Sequence, residues 1–129
     1  MPHIIAEYSA NLEDTLDVAG LVADLHQAAI DSAVAELVGI RTRAVRREHA
    51  RVADGNPANG FVHIVARLRR GRSVEQRKAL GQALLAAADR RLVPVYPKHP
   101  IAMTVEVHEI DPEMTFRRNT LREQAKSAA

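Results

Sequence analysis

The second residue of the chain, Pro2, has the most distinctive chemistry in the sequence. It follows Met1 and precedes a short apolar run, in the stretch "MPHIIAEYSA". Methionine before a small residue such as proline is normally removed after synthesis, so we expect a mature chain that begins with a secondary amine. A terminal amine has a pKa near ~8, and an apolar pocket or neighbouring cations lower it further. Such an amine can accept and return a proton near neutral pH. The structural alternative is a proline that merely opens a strand, where it is tolerated.

Arginine is concentrated in two short segments. Ten of the 18 basic residues lie in "RTRAVRREHAR" (41–51) and "RLRRGRSVEQR" (67–77), whereas residues 1–40 contain no Lys or Arg. Such clusters indicate an anionic partner, which is either nucleic acid or a small carboxylate or phosphate. Neither segment contains aromatic residues for base stacking, which weighs against single-stranded nucleic acid. A guanidinium fork matches one carboxylate, so one or two arginines are enough for a small substrate. A solvated surface is the third interpretation.

Other common chemistries lack their residues. The chain has no cysteine, and no GxSxG, GxGxxG or P-loop motif is present. No HxH or HxxxH pair lies on a predicted element, so we expect no metal site. The apolar neighbours of His3 and His63 predict core or interface histidines. The six histidines are His3, His26, His49, His63, His99 and His108.

Length and composition predict one domain over residues 1–129. Apolar residues make up 47% of the chain and aromatic residues only 3%, which indicates an aliphatic core. No stretch approaches the ~20 apolar residues of a membrane span, and no signal peptide is visible. Together with the lack of cysteine, these features lead us to expect a cytoplasmic protein with no membrane partner.

Periodicity predicts the elements that must position these residues. The predicted strands are residues 2–8, 40–45, 60–68 and 101–110. Asp17 is the expected cap of a first helix that runs to about residue 32. Ser73 and Gln76 form a capping box for a second helix, whose core stripe extends to Leu92. Residues 47–53 are either a strand or a hairpin arm, and "DGNPANG" is a loop. Residues 112–129 are a tail with a short helix near 120–124.

A weak repeat organises these elements. "HIIA" at 3–6 recurs as "HIVA" at 63–66, and a polar loop and a long helix follow each copy. Two β-α-β units predict an α+β fold, a four-stranded mixed sheet with both helices on one face. The other face carries apolar residues too, so we expect an oligomer that covers it.

Seven stretches make the chain similar to a known family. They are "MPHIIAEYS", "DVAGL", "LVGIRTRA", "VADG", "FVHI", "GRSVEQR" and, more loosely, "EVHEIDPEMTFRRN". In this order they resemble the 5-carboxymethyl-2-hydroxymuconate isomerases of the tautomerase superfamily. The resemblance implies a (β-α-β)₂ homotrimer without metal or organic cofactor. It assigns catalysis to Pro2 and substrate binding to Arg41 and Arg72, with Arg43 as a further neighbour. Relatives carry aromatic residues where this chain has "VRREHARVADG".

The expected reaction follows from these assignments. A small polycarboxylate dienol becomes an α,β-unsaturated ketone, as the amino-terminal proline moves a proton and the arginines hold carboxylates. The expected partners are this substrate and further copies of the chain, rather than nucleic acid or membrane. Two alternatives remain open at this stage. In one, the same proline acts as a general acid in dehalogenation or decarboxylation. In the other, the chain is a basic nucleic-acid-binding module.

Overall fold

A computed structural model describes residues 2–128 of the chain. The strands are β1 (His3–Ser9), β2 (Arg41–Arg47), β3 (Gly60–Arg69) and β4 (Ile101–Ile110). The helices are α1 (Val18–Ser32), α2 (Val74–Leu92) and α3 (Thr120–Ala128). Short 3₁₀ helices lie at Ala10–Asp14, Leu37–Gly39 and Pro112–Met114. Within residues 2–128, no helix is long and apolar enough to cross a membrane.

The four strands form one mixed sheet in the order β2-β1-β3-β4. β1 and β2 are parallel, β3 and β4 are parallel, and the two central strands β1 and β3 are antiparallel. His3 lies opposite Arg67, and Glu7 lies opposite His63. In the 60-residue repeat, His63 is the counterpart of His3, and Arg67 is the counterpart of Glu7, so the repeat exchanges the members of the two pairs. The predicted repeat therefore relates the two β-α-β units by a pseudo-twofold axis between β1 and β3.

Both long helices pack on one face of this sheet, as predicted. The Asp17 side chain accepts a hydrogen bond from the Gly20 N–H, and Ser73 and Gln76 form the reciprocal capping box. Alternating strand residues and one stripe of each helix form an aliphatic core, so burial fixes which strand face the helices cover. The core includes Ile4, Ala6, Leu21, Leu25, Ile64, Leu68, Leu84 and Leu92.

The connection between β2 and β3 is an irregular loop, and a strand over 47–53 is wrong beyond Arg47. Side chains, rather than a neighbouring strand, form hydrogen bonds with backbone carbonyls of this loop. The Asn59 amide donates to the Val52 carbonyl at 3.2 Å, and the Asn11 amide donates to the Pro57 carbonyl at 3.0 Å. Local hydrogen bonds of this kind compete with strand pairing. The loop therefore folds back on itself beside the first 3₁₀ helix.

The C-terminal tail folds back over the end of the sheet where β1 begins. Its helix, α3, is longer than the predicted 120–124 segment. Before this helix, the Asn119 amide donates to the Val38 carbonyl at 3.0 Å. Arg122 forms an ion pair with Glu36, and this hydrogen-bonded arginine lowers the pKa of Glu36. The tail is thus attached to the segment that leads into β2.

Candidate active site

The sheet topology brings four chain segments to one end of the sheet. Parallel β1 and β2 both begin there, and β3 and β4, which run the other way, both end there. Pro2 precedes β1 and Arg41 opens β2, while Arg72 follows β3 and the tail follows β4. The backbone N–H of Arg41 donates to the Pro2 carbonyl at 3.1 Å. Residues that are distant in sequence therefore meet here because of strand direction.

A cleft of about 500 Å³ opens at this end. His3, Arg41 and Ile110 form its inner wall, and tail residues 115–121 form its outer wall. A smaller cavity of about 70 Å³ adjoins it and has Arg69 and Pro112 on its far side. Ile110, Thr115 and Arg117 line both spaces. The volume of the cleft suits a small organic acid.

Pro2 is buried, with less than 2% of its surface exposed, and it does not line the cleft. It is nevertheless next to two residues that do. His3 follows it in the chain, and Arg41 is bonded to its carbonyl at 3.1 Å. Its nitrogen forms a peptide bond with Met1 in the full sequence and becomes a secondary amine only when Met1 is removed. Pro2 is thus adjacent to two lining residues without lining the cleft itself.

His3 lies between two of the predicted arginines. Its Nε2 is 3.2 Å from Nη1 of Arg41, and its Nδ1 is 3.2 Å from Nη1 of Arg43. Partial burial, followed by the charges of Arg43 and Arg41, lowers the pKa of His3 below its usual 6.5. A neutral imidazole accepts a hydrogen bond at only one of its nitrogens. Only one of the two arginines can therefore be hydrogen-bonded to His3 at a time.

Of the two predictions for His3 and His63, a core position is wrong, because both lie on the sheet face that the helices leave uncovered, and an interface position stays a prediction. His63 has 31% of its side chain exposed and contacts Thr104 and Glu106. The alternation of "HIIA" contained this information, because it places the histidine on the opposite face from buried Ile4. The sequence did not show the strand pairing between β1 and β2, which sets Arg41 beside His3.

Arg72 lies at the same end of the sheet but outside the cleft lining. Its Nε donates to the Val34 carbonyl at 2.9 Å, and its Nη1 donates to the Arg69 carbonyl at 3.2 Å. Val34 follows Ala33, the left-handed residue that ends α1. Arg72 thus connects the loop after β3 to the end of α1. The structure brings Arg41 and Arg43 together around His3. The Arg72 side chain instead donates hydrogen bonds to two backbone carbonyls.

The remaining arginines do not combine into one basic surface. Arg46 is paired with Glu13 and Glu48, and Arg47 is paired with Glu7. Arg77 lies 3.7 Å from Glu109. These three pairs and the strand alternation break the continuity of the two arginine-rich segments. Within residues 2–128, no group of three or more His, Cys, Asp or Glu side chains is arranged to hold a metal ion.

Comparisons with known proteins agree with this architecture. The crystal structure of a 5-carboxymethyl-2-hydroxymuconate isomerase from Deinococcus radiodurans R1 superposes with a TM-score of 0.88, at 26% identity. The match covers 96% of this chain and 93% of that one. Native fused 4-OT superposes with a TM-score of 0.65 at 22% identity, covering 91% of this chain and 93% of that one. The Escherichia coli 5-carboxymethyl-2-hydroxymuconate Delta-isomerase is 28% identical over 121 residues, which are 94% of this chain and 96% of the relative.

The paired β-α-β units give the chain the tautomerase fold. The family model described as 5-carboxymethyl-2-hydroxymuconate isomerase matches residues 2–125, and the chain belongs to that family. It is therefore an enzyme of the isomerase class.

Proposed function

We propose that the protein isomerises a small polycarboxylate dienol, similar to 5-carboxymethyl-2-hydroxymuconate, to its α,β-unsaturated ketone. The observation that carries this proposal is a cleft lined by His3 and Arg41, both of which are next to Pro2, in a chain of this family. No group leaves in this reaction, and it needs no external oxidant or reductant because the substrate and product are isomers. A proton acceptor, a proton donor and a charge that stabilises the intermediate are sufficient.

In this mechanism the nitrogen of Pro2, freed by removal of Met1, takes the proton of the 2-hydroxyl group. The electron pair of the broken O–H bond becomes the carbonyl, and the conjugated system carries the negative charge to its far carbon. The protonated amine then returns the same proton to that carbon, so the enzyme is regenerated. Burial of Pro2 and the cations nearby favour the neutral amine that the first step needs.

The three predicted arginines have different parts in this proposal. Arg41 lines the cleft and is placed to hold a carboxylate and to stabilise the dienolate between the two transfers. Arg43 contacts the other side of His3 and adds positive charge. Arg72 is the second proposed carboxylate-binding residue; it lies in the loop after β3, where its Nε and Nη1 donate to backbone carbonyls. Neutral His3 accepts a hydrogen bond from only one of its two arginine neighbours.

The free amine of Pro2 is the critical assumption, and processing tests it. We expect protein that retains Met1 to be inactive, because an amide nitrogen is neither basic nor able to donate a proton. Pro2→Ala, processed to a free alanine, should retain a weak rate, since a primary amine still moves protons. Intact-mass spectrometry of each preparation beside the dienol assay gives the measurement. Full turnover by protein that carries Met1 would reduce Pro2 to a strand-opening residue.

The same fold supports a proposal about assembly. Ile5 and Val65 are only half-buried on the sheet face opposite the helices, and one relative of this fold is described as a symmetric trimer, fused 4-OT. We expect three copies of the 14.2 kDa chain in solution, with that face partly covered by subunit packing. Sedimentation equilibrium at micromolar concentration measures the mass. A single species near 14.2 kDa would contradict the proposal.

A further inference from the structure

Two arginines that form no ion pair within the described residues line the tail side of the cleft and the cavity that adjoins it, although the charge of Arg117 also acts on Glu36. Arg117 lines both the main cleft and the adjoining cavity, and Arg69 lines the adjoining cavity. Among residues 2–128, neither guanidinium group has an ion pair or hydrogen bond. No acidic side chain lines either space. Two cations therefore converge on a small cavity without an anion.

The arginines beside Arg117 show that this lack of a partner is local. Arg118 lies 3.3 Å from Glu123, and Arg122 is paired with Glu36. The tail thus holds Arg118 and Arg122 in ion pairs, whereas Arg117 has only the more distant charge of Glu36 and no direct acidic partner among the described residues. Like charges that face one cavity repel each other, and a bound carboxylate relieves that repulsion through two-pronged hydrogen bonds.

We propose that Arg69 and Arg117 form a second anion subsite, which binds the carboxylate of a side arm on a tricarboxylic substrate. This inference rests on the proposed function, because it extends the same cleft. Arg41 lies on the inner wall and holds one end of the substrate, while Arg117 stands on the opposite wall beside the smaller cavity. That cavity, about 70 Å³, has room for one short acidic arm and none for a nucleotide. The subsite determines preference for a tricarboxylate over a dicarboxylate.

Steady-state kinetics on two dienols test the subsite. The substrates are 2-hydroxymuconate, a dicarboxylate, and 5-carboxymethyl-2-hydroxymuconate, a tricarboxylate, at constant ionic strength. We expect Arg117→Gln and Arg69→Gln to lower the tricarboxylate-to-dicarboxylate ratio of kcat/KM on the order of tenfold each, mainly through KM. Arg117→Lys should restore part of the ratio. Arg70→Gln removes a neighbouring exposed charge outside both cavities and is the matched control.

The result that overturns the subsite is an unchanged ratio in active Arg117→Gln and Arg69→Gln proteins, or an equal change in Arg70→Gln. Calorimetry with unreactive tricarballylate and glutarate separates this failure from failure of the proposed function. If the wild-type protein turns over neither dienol, the proposed reaction fails. The subsite still stands if Arg117→Gln weakens tricarballylate binding about tenfold and glutarate binding less. It fails if both ligands weaken equally or neither changes.

Discussion

Two arginines compete for one imidazole at the start of the sheet. His3 faces Arg41 with Nε2 and Arg43 with Nδ1, and each nitrogen-to-nitrogen distance is 3.2 Å. Because a neutral ring has a single acceptor nitrogen, one guanidinium always faces an N–H and is not bonded to the ring. An incoming carboxylate therefore does not compete with the ring for that guanidinium, and the positive charge around His3 favours an anion.

Arg41→Ala should change both the chemistry and the titration of the site. We expect kcat/KM to fall on the order of 100-fold, because a carboxylate contact and stabilisation of the dienolate are lost. The pKa of His3 should rise, because the charge of Arg41 is one of the causes that lower it. Nuclear magnetic resonance titration of the histidines gives the second readout.

Arg47→Ala is the control for this prediction, since Arg47 lies on the same strand but is paired with Glu7 outside the cleft lining. It should leave the pKa of His3 close to that of the wild-type protein. An unchanged His3 titration in Arg41→Ala protein would show that the two side chains do not interact in solution. Unchanged kinetics in the same protein would remove Arg41 from the substrate site.

Local residue patterns could be predicted from the sequence, and long-range pairs could not. The caps at Asp17 and Ser73 depend on residues three positions away, and both were predictable. The contacts of His3 depend on the register of β1 against β2, 38 positions along the chain. Arg117 is a similar case, because it reaches the cleft only after the tail folds back over β1. No local pattern carries that information.

At the scale of elements, strand directions decide where the site lies. The predicted order β-α-β-β-α-β was sufficient for the sheet, because right-handed β-α-β units leave few topologies open. The sequence could not decide whether residues 48–59 form a strand or an irregular loop, because their conformation depends on hydrogen bonds from the side chains of Asn11 and Asn59. The cleft lies at the end of the sheet where β1 and β2 begin and β3 and β4 end. The 48–59 loop lies at the opposite end, before β3, so it does not contribute to the cleft.

Arg72 joins two elements, so its replacement should have two effects. Arg72→Ala removes the donors to the Val34 and Arg69 carbonyls, which costs about 1 kcal/mol in the free energy of unfolding. The structure thus gives Arg72 a structural role beside the substrate binding that the resemblance implies. As a proposed carboxylate-binding residue, Arg72 should also contribute to turnover. We expect Arg72→Ala to lower kcat/KM on the order of 100-fold, which is about 2.7 kcal/mol.

Urea unfolding and steady-state kinetics on the same Arg72→Ala preparation measure the two effects separately. Arg72→Lys keeps the charge but not the planar fork, so it should restore turnover more than stability. Arg70→Ala controls for removal of a charge in the same loop. Wild-type kinetics in folded Arg72→Ala protein would show that the residue holds the backbone and does not bind substrate.

At the scale of the whole molecule, three carboxylates connect segments that are far apart in the sequence. Asp14 is 2.9 Å from Nε2 of His99, and Asp24 accepts from Nε of Arg91 at 2.8 Å. Glu36 is paired with Arg122 of α3. In each case the hydrogen bond from the basic partner is the largest cause that lowers the pKa of the carboxyl group. These contacts attach the first 3₁₀ helix, the two long helices and the tail to their neighbours.

Acid should therefore destabilise the whole fold. The pKa values of Asp14, Asp24 and Glu36 are lowered in the folded protein, so below their ordinary values of 3.8, 3.8 and 4.5 the unfolded chain binds more protons. The stability that they contribute is present above about pH 4.5 and is lost as the pH falls through the folded values. We expect the free energy of unfolding in urea to be level between pH 7 and 5 and to decrease steadily below about pH 4.

Asp24→Asn tests the cause of that decrease. It removes one titrating group from the link between α1 and α2, so its stability should be lower than wild type at pH 7 and should fall less steeply in acid. Unfolding curves at two protein concentrations distinguish loss of the fold from dissociation of subunits, because only dissociation depends on concentration. Equal acid slopes in the wild-type and Asp24→Asn proteins would mean that this ion pair does not contribute to acid sensitivity. If the free energy of unfolding of the wild-type protein stays level down to pH 3, none of the three carboxylate contacts contributes acid-sensitive stability.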